Sequence, residues 1–278
     1  MATHALTAEL QDWIVQHAQA GASAPTITGY LRHAGWPQAR AATVVAQVLA
    51  SQPGGSLPPP VMLPEPDIAD SPTRLDLGAH QVQLLLQMQQ PRVAVLGGFL
   101  TPEECTQLIA AARPRMARSL TVANDTGADE LNQDRTSDGM FFQRGENALV
   151  QRIEERIARL LRWPLENGEG LQVLHYRPGA EYKPHYDYFD PAQRGSSTLL
   201  RRGGQRVATL VMYLNTPEQG GGTRFPEAQL EVAPQQGNAV FFSYARPDPS
   251  TRSLHAGAPV LAGEKWIATK WLREREFH

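Results

Sequence analysis

A histidine and an aspartate that lie two residues apart, His185 and Asp187, have the types and the spacing of metal ligands. On an extended strand, residues i and i+2 point to the same face, so this imidazole and this carboxylate could bind one ion. A third ligand would complete the two-histidine, one-carboxylate set that is typical of non-haem Fe(II) sites. The candidate for that ligand is His255, much further along the chain.

A His-x-Asp triplet alone is weak evidence, because such triplets occur by chance in many chains. The alternative interpretation is a surface strand with two polar residues facing water. Further residues in a fixed order favour a site: Tyr182 precedes the triplet, while Thr223 and Lys265 stand on either side of His255 in the sequence. All of them fall in segments with the periodicity of strands or strand ends.

The composition is that of an ordinary globular protein. The chain has 278 residues, of which 41% are apolar and 19% charged, and its formal net charge is −2. This length allows one well-buried core plus a smaller accessory unit. The small net charge gives no electrostatic footprint for nucleic acid or for an anionic membrane, so we expect neither as a partner.

Several features of the sequence predict a cytoplasmic location. No apolar run approaches the roughly 20 residues that span a bilayer. The first residues lack the basic start and apolar stretch of a secretion signal. The single cysteine, Cys105, has no second cysteine to pair with, which suits a reducing compartment. It lies in an amphipathic helix pattern, which predicts a buried packing residue.

Composition shifts divide the chain into three parts. Residues 1–52 predict a small α-helical unit, in which apolar stripes recur at helical spacing. We interpret these stripes mainly as internal packing, with protein contact through the helices as the alternative. Residues 53–75 predict a proline-rich linker of extended character, and a ligand for a proline-binding module is the less favoured interpretation. Residues 76–278 predict the main domain.

Periodicity predicts helices first and strands afterwards. Helices are predicted within 7–50 (three of them) and at 77–90, 101–113 and 150–161. Strands are predicted at 92–96, 171–176, 181–188, 206–215, 229–232, 238–243, 253–260 and 266–272, with polar loops at 119–138 and 190–205. This order indicates an α+β fold, in which helices support a β-sandwich or jelly roll.

The chain from about Val93 to Phe277 resembles the catalytic domain of the prolyl 4-hydroxylase family of Fe(II)/2-oxoglutarate dioxygenases. Six blocks in family order carry the resemblance: RTSDGMF at 135–141, LQVLHY at 171–176, YKPHYD at 182–187, GGTRFP at 221–226, GNAVFF at 237–242, and SLHAG at 253–257 followed by Lys265-Trp266. One position departs from the pattern, since Gly222 stands where relatives often have an acidic residue.

The resemblance implies a double-stranded β-helix (jelly roll) with supporting helices and a set of site residues. It implies that His185, Asp187 and His255 are the Fe(2+) ligands and that Lys265 is the partner for the distal carboxylate of 2-oxoglutarate. It also implies aromatic or hydroxyl groups near this carboxylate, from Tyr182, Thr223 and Tyr176, and contacts to a peptide from Arg135 and Trp271. For Tyr176 and Trp271, ordinary core packing is an equally good interpretation.

The resemblance also implies the reaction. Fe(2+), 2-oxoglutarate and O2 would hydroxylate a prolyl residue at its 4-position in a peptide or protein and release succinate and CO2, with ascorbate as accessory reductant. Two alternatives stay open. The same chemistry could act on another side chain or on a free amino acid. A metal-binding scaffold without turnover is the second alternative, although a scaffold has no need of both the three ligands and Lys265.

Overall fold

The computed structural model describes residues 6–19, 22, 24–50, 63–118, 121–122, 129–130, 136–191, 193 and 195–278. The chain divides into two compact units, Met1–Met62 and Leu63–His278. The domain boundaries expected from composition, at 52 and 75, stay a prediction. None of the helices in the described ranges is long and apolar enough to cross a membrane.

The first unit is helical in its described residues, and the second unit has helices of its own that pack against its large sheet. The α-helices of the described residues are α1 (Ala8–Gln19), α2 (Ala24–His33), α3 (Gln38–Ala50), α4 (Pro102–Ala112), α5 (Ala148–Leu161) and α6 (Ser196–Arg201). The three helices expected in the first unit are therefore present. They enclose a core of their own, which includes Ile14, Ile27, Leu31 and Val45.

Most of the secondary-structure elements of the second unit are strands. They are β1 (Arg74–Asp76), β2 (Gln81–Met88), β3 (Arg92–Gly97), β4 (Ala117–Arg118), β5 (Thr121–Val122), β6 (Asp129–Glu130), β7 (Asp138–Phe142), β8 (Leu171–Tyr176), β9 (Tyr182–His185), β10 (Arg206–Tyr213), β11 (Gln219–Gly220), β12 (Thr223–Phe225), β13 (Leu230–Val232), β14 (Ala239–Ser243), β15 (His255–Gly257), β16 (Val260–Ala262) and β17 (Lys265–Arg273).

Two antiparallel sheets form the jelly roll that was expected. The large sheet has the order β1-β2-β3-β14-β10-β17-β8-β7-β4, and the small sheet has the order β13-β12-β15-β9. One apolar cluster contains side chains from both, such as Tyr213 and Ile267 of the large sheet and Phe225 and Val232 of the small sheet. The space between the sheets is therefore packed, and polar residues within it are the exception.

The large sheet has two buried faces, and alternation along its strands separates them. On β17, Trp266, Ala268 and Leu272 belong to the main core, which also contains apolar residues of α4 and α5. Lys265 and Trp271 occupy the alternate positions of the same strand and line a cavity on the other face. Because side chains alternate along a strand, one strand supplies both the core that fixes its position and the groups in the cavity.

Helix α4 begins as its sequence predicts. Thr101 caps the helix, Pro102 is its first residue, and Thr101 and Glu104 form a reciprocal capping box. Cys105 on this helix is fully buried, as expected, and its burial raises the pKa of the thiol to about 11. The thiol is therefore protonated at neutral pH and serves as a packing residue.

Several sequence predictions of local structure were wrong. The segment 77–90 forms strand β2 instead of a helix, because its glutamines alternate with Val82 and Leu84, which pack inward, and its backbone pairs with β1 and β3. The loop expected at 190–205 contains the short helix α6. The strand expected at 253–260 is divided into β15 and β16. Of the loop expected at 119–138, the central residues lie largely outside those described.

A buried ion pair fixes helix α5 to the large sheet. Lys270 of β17 and Glu154 of α5 are 2% and 1% exposed, and the ammonium donates a hydrogen bond to Glu154 Oε1. Gly168 lies against the lysine, and a Cβ at this position would overlap with its Cε. Both charges are desolvated, so each depends on the other for compensation.

Replacing Lys270 with methionine is expected to lower the free energy of unfolding by about 3–5 kcal/mol, because the Glu154 carboxylate stays buried without its partner. Urea denaturation followed by circular dichroism measures this change. The double variant Lys270→Met, Glu154→Gln should recover much of the loss, since it removes both charges. A single variant as stable as the unmodified protein would contradict the interpretation.

Candidate active site

Two paired strands of the small sheet bring the histidines together. His255 of β15 is directly opposite His185 of β9, and their ring centroids are 4.3 Å apart. Asp187 follows the end of β9, so the expectation that it extends the same strand was wrong. The bend after His185 nevertheless returns the carboxylate: Asp187 Oδ1 is 3.6 Å from His185 Nε2, and Asp187 Oδ2 is 3.5 Å from His255 Nε2.

Hydrogen bonds to the backbone select the tautomer of both histidines. His185 Nδ1 is 2.8 Å from Lys183 O, and His255 Nδ1 is 3.0 Å from Ser253 O. A carbonyl oxygen only accepts hydrogen bonds, so each Nδ1 must carry the proton. Each Nε2 therefore carries the lone pair that a metal ion requires.

The carboxylate of Asp187 is buried and held by a threonine. The Thr209 hydroxyl on β10 donates to Asp187 Oδ2 at 2.7 Å, and Thr209 Oγ1 also lies 3.0 Å from the hydroxyl of Tyr244. Burial would raise the pKa of the Asp187 carboxyl, but Coulomb attraction from His255 and His185 whenever these rings are charged, together with Arg206 and the Thr209 hydrogen bond, holds this pKa well below its usual range. The group is therefore an anionic ligand at neutral pH.

The three side chains fit a divalent iron ion. One ligand atom from each of them lies within 4.8 Å of the others, which is close enough for one ion to reach all three. Two neutral imidazoles and one carboxylate are the donors of non-haem Fe(II) sites, and they occupy one side of the ion. Three coordination positions of an octahedral ion then stay available for other ligands.

Lys265 supplies a buried cation to the same cavity. It is opposite Tyr176 in the pairing of β17 with β8, its Nζ lies 5.1 Å from the Tyr176 ring centroid, and it is 2% exposed. The contact found for its ammonium among the described residues is the Tyr176 ring. Burial lowers its pKa to about 8, with Glu231 opposing the shift. A ligand carboxylate would compensate this charge.

Two glycines leave room for the lysine chain. A Cβ on Gly221 would lie 3.0 Å from Lys265 Cδ, and a Cβ on Gly257 would lie 3.9 Å from Lys265 Nζ. Gly221 also has a φ of +72°, which favours glycine. Gly257 is two residues after His255, so the ammonium enters the cavity close to the strand that carries the metal ligand.

Hydroxyl and aromatic groups expected near a cosubstrate lie at this cavity. Thr223 is opposite Gly257 in the small sheet, and it accepts a hydrogen bond of 2.7 Å from the hydroxyl of Tyr213. Tyr182 stacks on His185 with ring centroids 3.6 Å apart. The cavity is lined by Leu174, Tyr176, Tyr182, His185, Asp187, Thr209, Val211, Thr223, His255, Ala256, Gly257, Lys265, Ile267, Thr269 and Trp271.

Of the two residues expected to contact a peptide, Trp271 lies at the cavity and Arg135 is outside the described part of the chain. Trp271 lines the cavity and is 7% exposed, and the guanidinium of Arg206 lies 4.0 Å from its ring centroid. Arg206 is fixed in turn by a double hydrogen bond to Glu169, at 2.6 and 2.9 Å. Arg135 lies outside the described residues, and its role stays a prediction.

Sequence reasoning missed Thr209, and its signal was weak. It is a polar residue in the middle of the apolar strand β10, where the neighbours Ala208 and Leu210 are fully buried. A buried hydroxyl in such a strand needs a partner, and that need was the only signal available. The partner, Asp187, could not be identified without the packing of the two sheets against each other.

The departure at Gly222 has a structural counterpart on the next strand. A Cβ at this position would overlap with the side chain of Glu231 on β13. The Glu231 carboxylate accepts a hydrogen bond of 2.8 Å from Arg224. The space beside Gly222 therefore holds an acidic group that comes from the neighbouring strand instead of from residue 222 itself.

Comparisons with known proteins agree with this geometry. Residues 171–273 match the 2OG-Fe(II) oxygenase superfamily. Prolyl 4-hydroxylase 5 of Arabidopsis thaliana is 42% identical over 209 residues, which cover 68% of this chain and 70% of that protein. Prolyl 4-hydroxylase 1 of the same plant is 45% identical over 202 residues, which cover 66% and 70%.

A solved structure is also similar. The viral collagen prolyl hydroxylase vCPH from Paramecium bursaria Chlorella virus-1, in its 2OG complex, superposes with a TM-score of 0.50 and 32% sequence identity. The match covers 65% of this chain and 95% of that one. The matched region therefore extends over nearly the whole of that enzyme.

Proposed function

Because the chain belongs to the prolyl 4-hydroxylase family of Fe(II)/2-oxoglutarate oxygenases, we propose that it hydroxylates a prolyl residue, at the 4-position, in a peptide or protein. It is a 2-oxoglutarate-dependent dioxygenase that uses Fe(II), 2-oxoglutarate and O2. The observation that carries the proposal is the buried ammonium of Lys265 in the cavity that also contains His185, Asp187 and His255.

His185, Asp187 and His255 would hold the iron ion. When bound, iron and 2-oxoglutarate supply the oxidising chemistry, in which the keto acid becomes succinate and CO2 and the substrate C–H bond becomes C–OH. The chain fixes the geometry of the ligands: two backbone carbonyls orient the imidazoles, and Thr209 orients the carboxylate. Such supporting hydrogen bonds tune both the position and the basicity of ligands.

Lys265 would bind the distal carboxylate of 2-oxoglutarate. An ammonium and a carboxylate in a site with little water form a strong charge-assisted contact. The Thr223 hydroxyl, oriented by Tyr213, and the hydroxyls of Tyr176 and Tyr182 would provide further hydrogen bonds. This arrangement holds the opposite, keto-acid end of the cosubstrate toward the three metal ligands.

The peptide would enter on the side of the cavity formed by Trp271. Its indole, supported by Arg206, offers an apolar face for a proline ring, and Arg135 would contact the peptide backbone. Ascorbate would serve as accessory reductant. Contact with another protein through α1–α3 stays a prediction, because its support is limited to the apolar stripes of the sequence.

The affinity for 2-oxoglutarate is expected to fall above about pH 8. In the free protein, burial holds the pKa of Lys265 at about 8, whereas the bound carboxylate would raise it. Below pH 8 the lysine is already charged, so binding takes up no proton at this group. Above pH 8 binding must protonate it, and affinity drops by up to about tenfold per pH unit.

Calorimetric titration of the Mn(II)-loaded protein with 2-oxoglutarate between pH 6.5 and 9.5 measures this effect. The variant Lys265→Arg is the control, because a guanidinium stays charged throughout the range. Whatever its absolute affinity, the fall above pH 8 should be absent from this variant. An affinity of the unmodified protein that stays constant to pH 9.5 would contradict the assignment.

The proposed reaction is tested by supplying candidate substrates. Purified protein with Fe(II), 2-oxoglutarate, O2 and ascorbate is incubated with proline-rich peptides, with matched peptides that lack proline, and with free amino acids. Succinate release and a gain of oxygen in the proline-rich peptides are expected. Reaction with free amino acids or with proline-free peptides alone would favour another substrate, and no succinate under any condition would favour the scaffold.

A further inference from the structure

Phe141 is a large apolar side chain in contact with water. It is 48% exposed, whereas its neighbours on β7, Met140 and Phe142, are buried in the main core. Two other large apolar side chains of the described residues, Leu85 and Leu261, are exposed to a similar or greater degree. Exposure alone has no functional meaning, so the position of Phe141 in the sheet decides its interpretation.

Strand pairing places Phe141 on the cavity face of the large sheet. In the pairing of β7 with β8 it is opposite Gln172, and in the pairing of β8 with β17 Gln172 is opposite Thr269. Residues opposite each other in antiparallel strands project to the same face. Thr269 and Trp271 both line the cavity, so Phe141 extends the same face outward from it.

A glycine brings Phe141 and Trp271 together. The pairing of β17 with β8 ends at Thr269 and Gln172, and just before β8 lies Gly170, where an added Cβ would be 3.8 Å from Cδ1 of the Phe141 ring. The Phe141 and Trp271 rings are 6.4 Å apart and inclined by 35°. We call these two rings the aromatic strip. The aromatic strip begins at Trp271, which lines the cavity, and ends at Phe141, which is exposed.

The backbone of Phe141 is held in place from the opposite side. Arg115 Nη2 donates a hydrogen bond of 2.9 Å to Phe141 O, and its guanidinium also contacts the ring of Phe142 at 5.1 Å. At the other end of the strip, Arg206 lies against Trp271. Both rings are therefore carried by a supported sheet, so a ligand that covers them need not order them first.

We propose that Phe141 forms a second binding subsite for the peptide substrate, which takes an apolar ring, best a second proline, within three residues of the hydroxylated one. This inference rests on the proposed function. The strip is continuous with the cavity where the reacting residue would lie, so the chain leaving that residue crosses Phe141. Proline-rich peptides adopt an extended helix with a rise of about 3.1 Å per residue and dock on aromatic surfaces.

The subsite gives the enzyme a preference among peptides. A peptide with one isolated proline would cover Trp271 but leave Phe141 in water. A peptide with a second proline nearby would bury both rings, and the burial of apolar area would lower its KM. A free amino acid is too small to reach Phe141, so the strip would contribute nothing to its binding.

Two matched sets of peptides test the subsite. Each peptide has one reactive proline, and either proline or alanine occupies one of the three positions before or after it. The unmodified protein should show a KM about tenfold lower for proline than for alanine at one of these positions. In Phe141→Ala this ratio should fall to about one, and in Phe141→Tyr, which keeps the ring, it should be largely retained.

Leu85→Ala is the control, because Leu85 is equally exposed but lies on β2, near the opposite edge of the same sheet. This variant should keep the tenfold ratio. If the unmodified protein hydroxylates these peptides but Phe141→Ala has the same KM ratio as Leu85→Ala, the subsite is refuted. The proposed function is not affected by that result. If the unmodified protein hydroxylates none of the peptides, the proposed function fails first and the subsite with it.

Discussion

Replacing His255 with alanine is expected to lower turnover by at least about 10³-fold. A bound metal contributes several kcal/mol to catalysis, and each 1.36 kcal/mol corresponds to tenfold in rate. Only His185 and Asp187 would remain as ligands, and the other side chains that line the cavity offer no second imidazole in place of His255. The same result is expected for His185→Ala.

The loss should be visible in metal binding as well as in activity. Anaerobic titration with Fe(II) should give one ion per chain for the unmodified protein and much weaker binding for His255→Ala. The matched control is His175→Ala. His175 is also a largely buried histidine, but it is hydrogen-bonded to Glu264 at 2.8 Å and stacked on Trp266 on the other face of β8. A His255→Ala protein that binds Fe(II) with unchanged affinity would remove this residue from the site.

Replacing Lys265 with alanine is expected to weaken 2-oxoglutarate binding by about 10²- to 10³-fold. Removing one partner of a buried charge pair costs about 3–5 kcal/mol, and each 1.4 kcal/mol corresponds to tenfold in affinity. The free protein should respond in the opposite direction. Burial disfavours its ammonium until the ligand binds, so the variant should unfold at a temperature no lower than that of the unmodified protein.

Thermal unfolding with and without 2-oxoglutarate separates these two effects. The unmodified protein should be stabilised by the cosubstrate, because a ligand that binds the folded state alone raises its stability. The stabilisation should disappear in Lys265→Ala and persist in Lys183→Ala, in which an exposed lysine of β9 is removed. Equal stabilisation of both variants would exclude Lys265 as the carboxylate partner.

The metal ligands could be predicted from the sequence because two of them are neighbours along the chain. The spacing of His185 and Asp187 placed both at one site even though the strand ends between them. Their meeting with His255 depends on one cross-strand pair, which no local pattern reveals. The ordered blocks of the family resemblance supplied that long-range information.

Residues that act through pairing between strands were not predictable. Thr209 reads as one polar residue in an apolar strand, and Phe141 reads as one more apolar residue in the sequence DGMFF of β7. Asp187 follows a strand of the small sheet and meets Thr209 only when the two sheets pack together, and Trp271 meets Phe141 only when the strands of the large sheet are paired. The segment 77–90 was wrong for a related reason, because the run Leu84-Leu85-Leu86 interrupts the alternation of its glutamines and leaves the period ambiguous between helix and strand until the strand partners are known.

The most direct test of the account is the fate of molecular oxygen in the reaction. The protein is incubated with Fe(II), 2-oxoglutarate and a proline-rich peptide under ¹⁸O₂, and fragmentation mass spectrometry locates any label in the peptide. The account predicts ¹⁸O on the proline ring, with one succinate formed for each hydroxyl and no label when His255→Ala replaces the unmodified protein. Unlabelled peptides, or label on a residue other than proline, would contradict it.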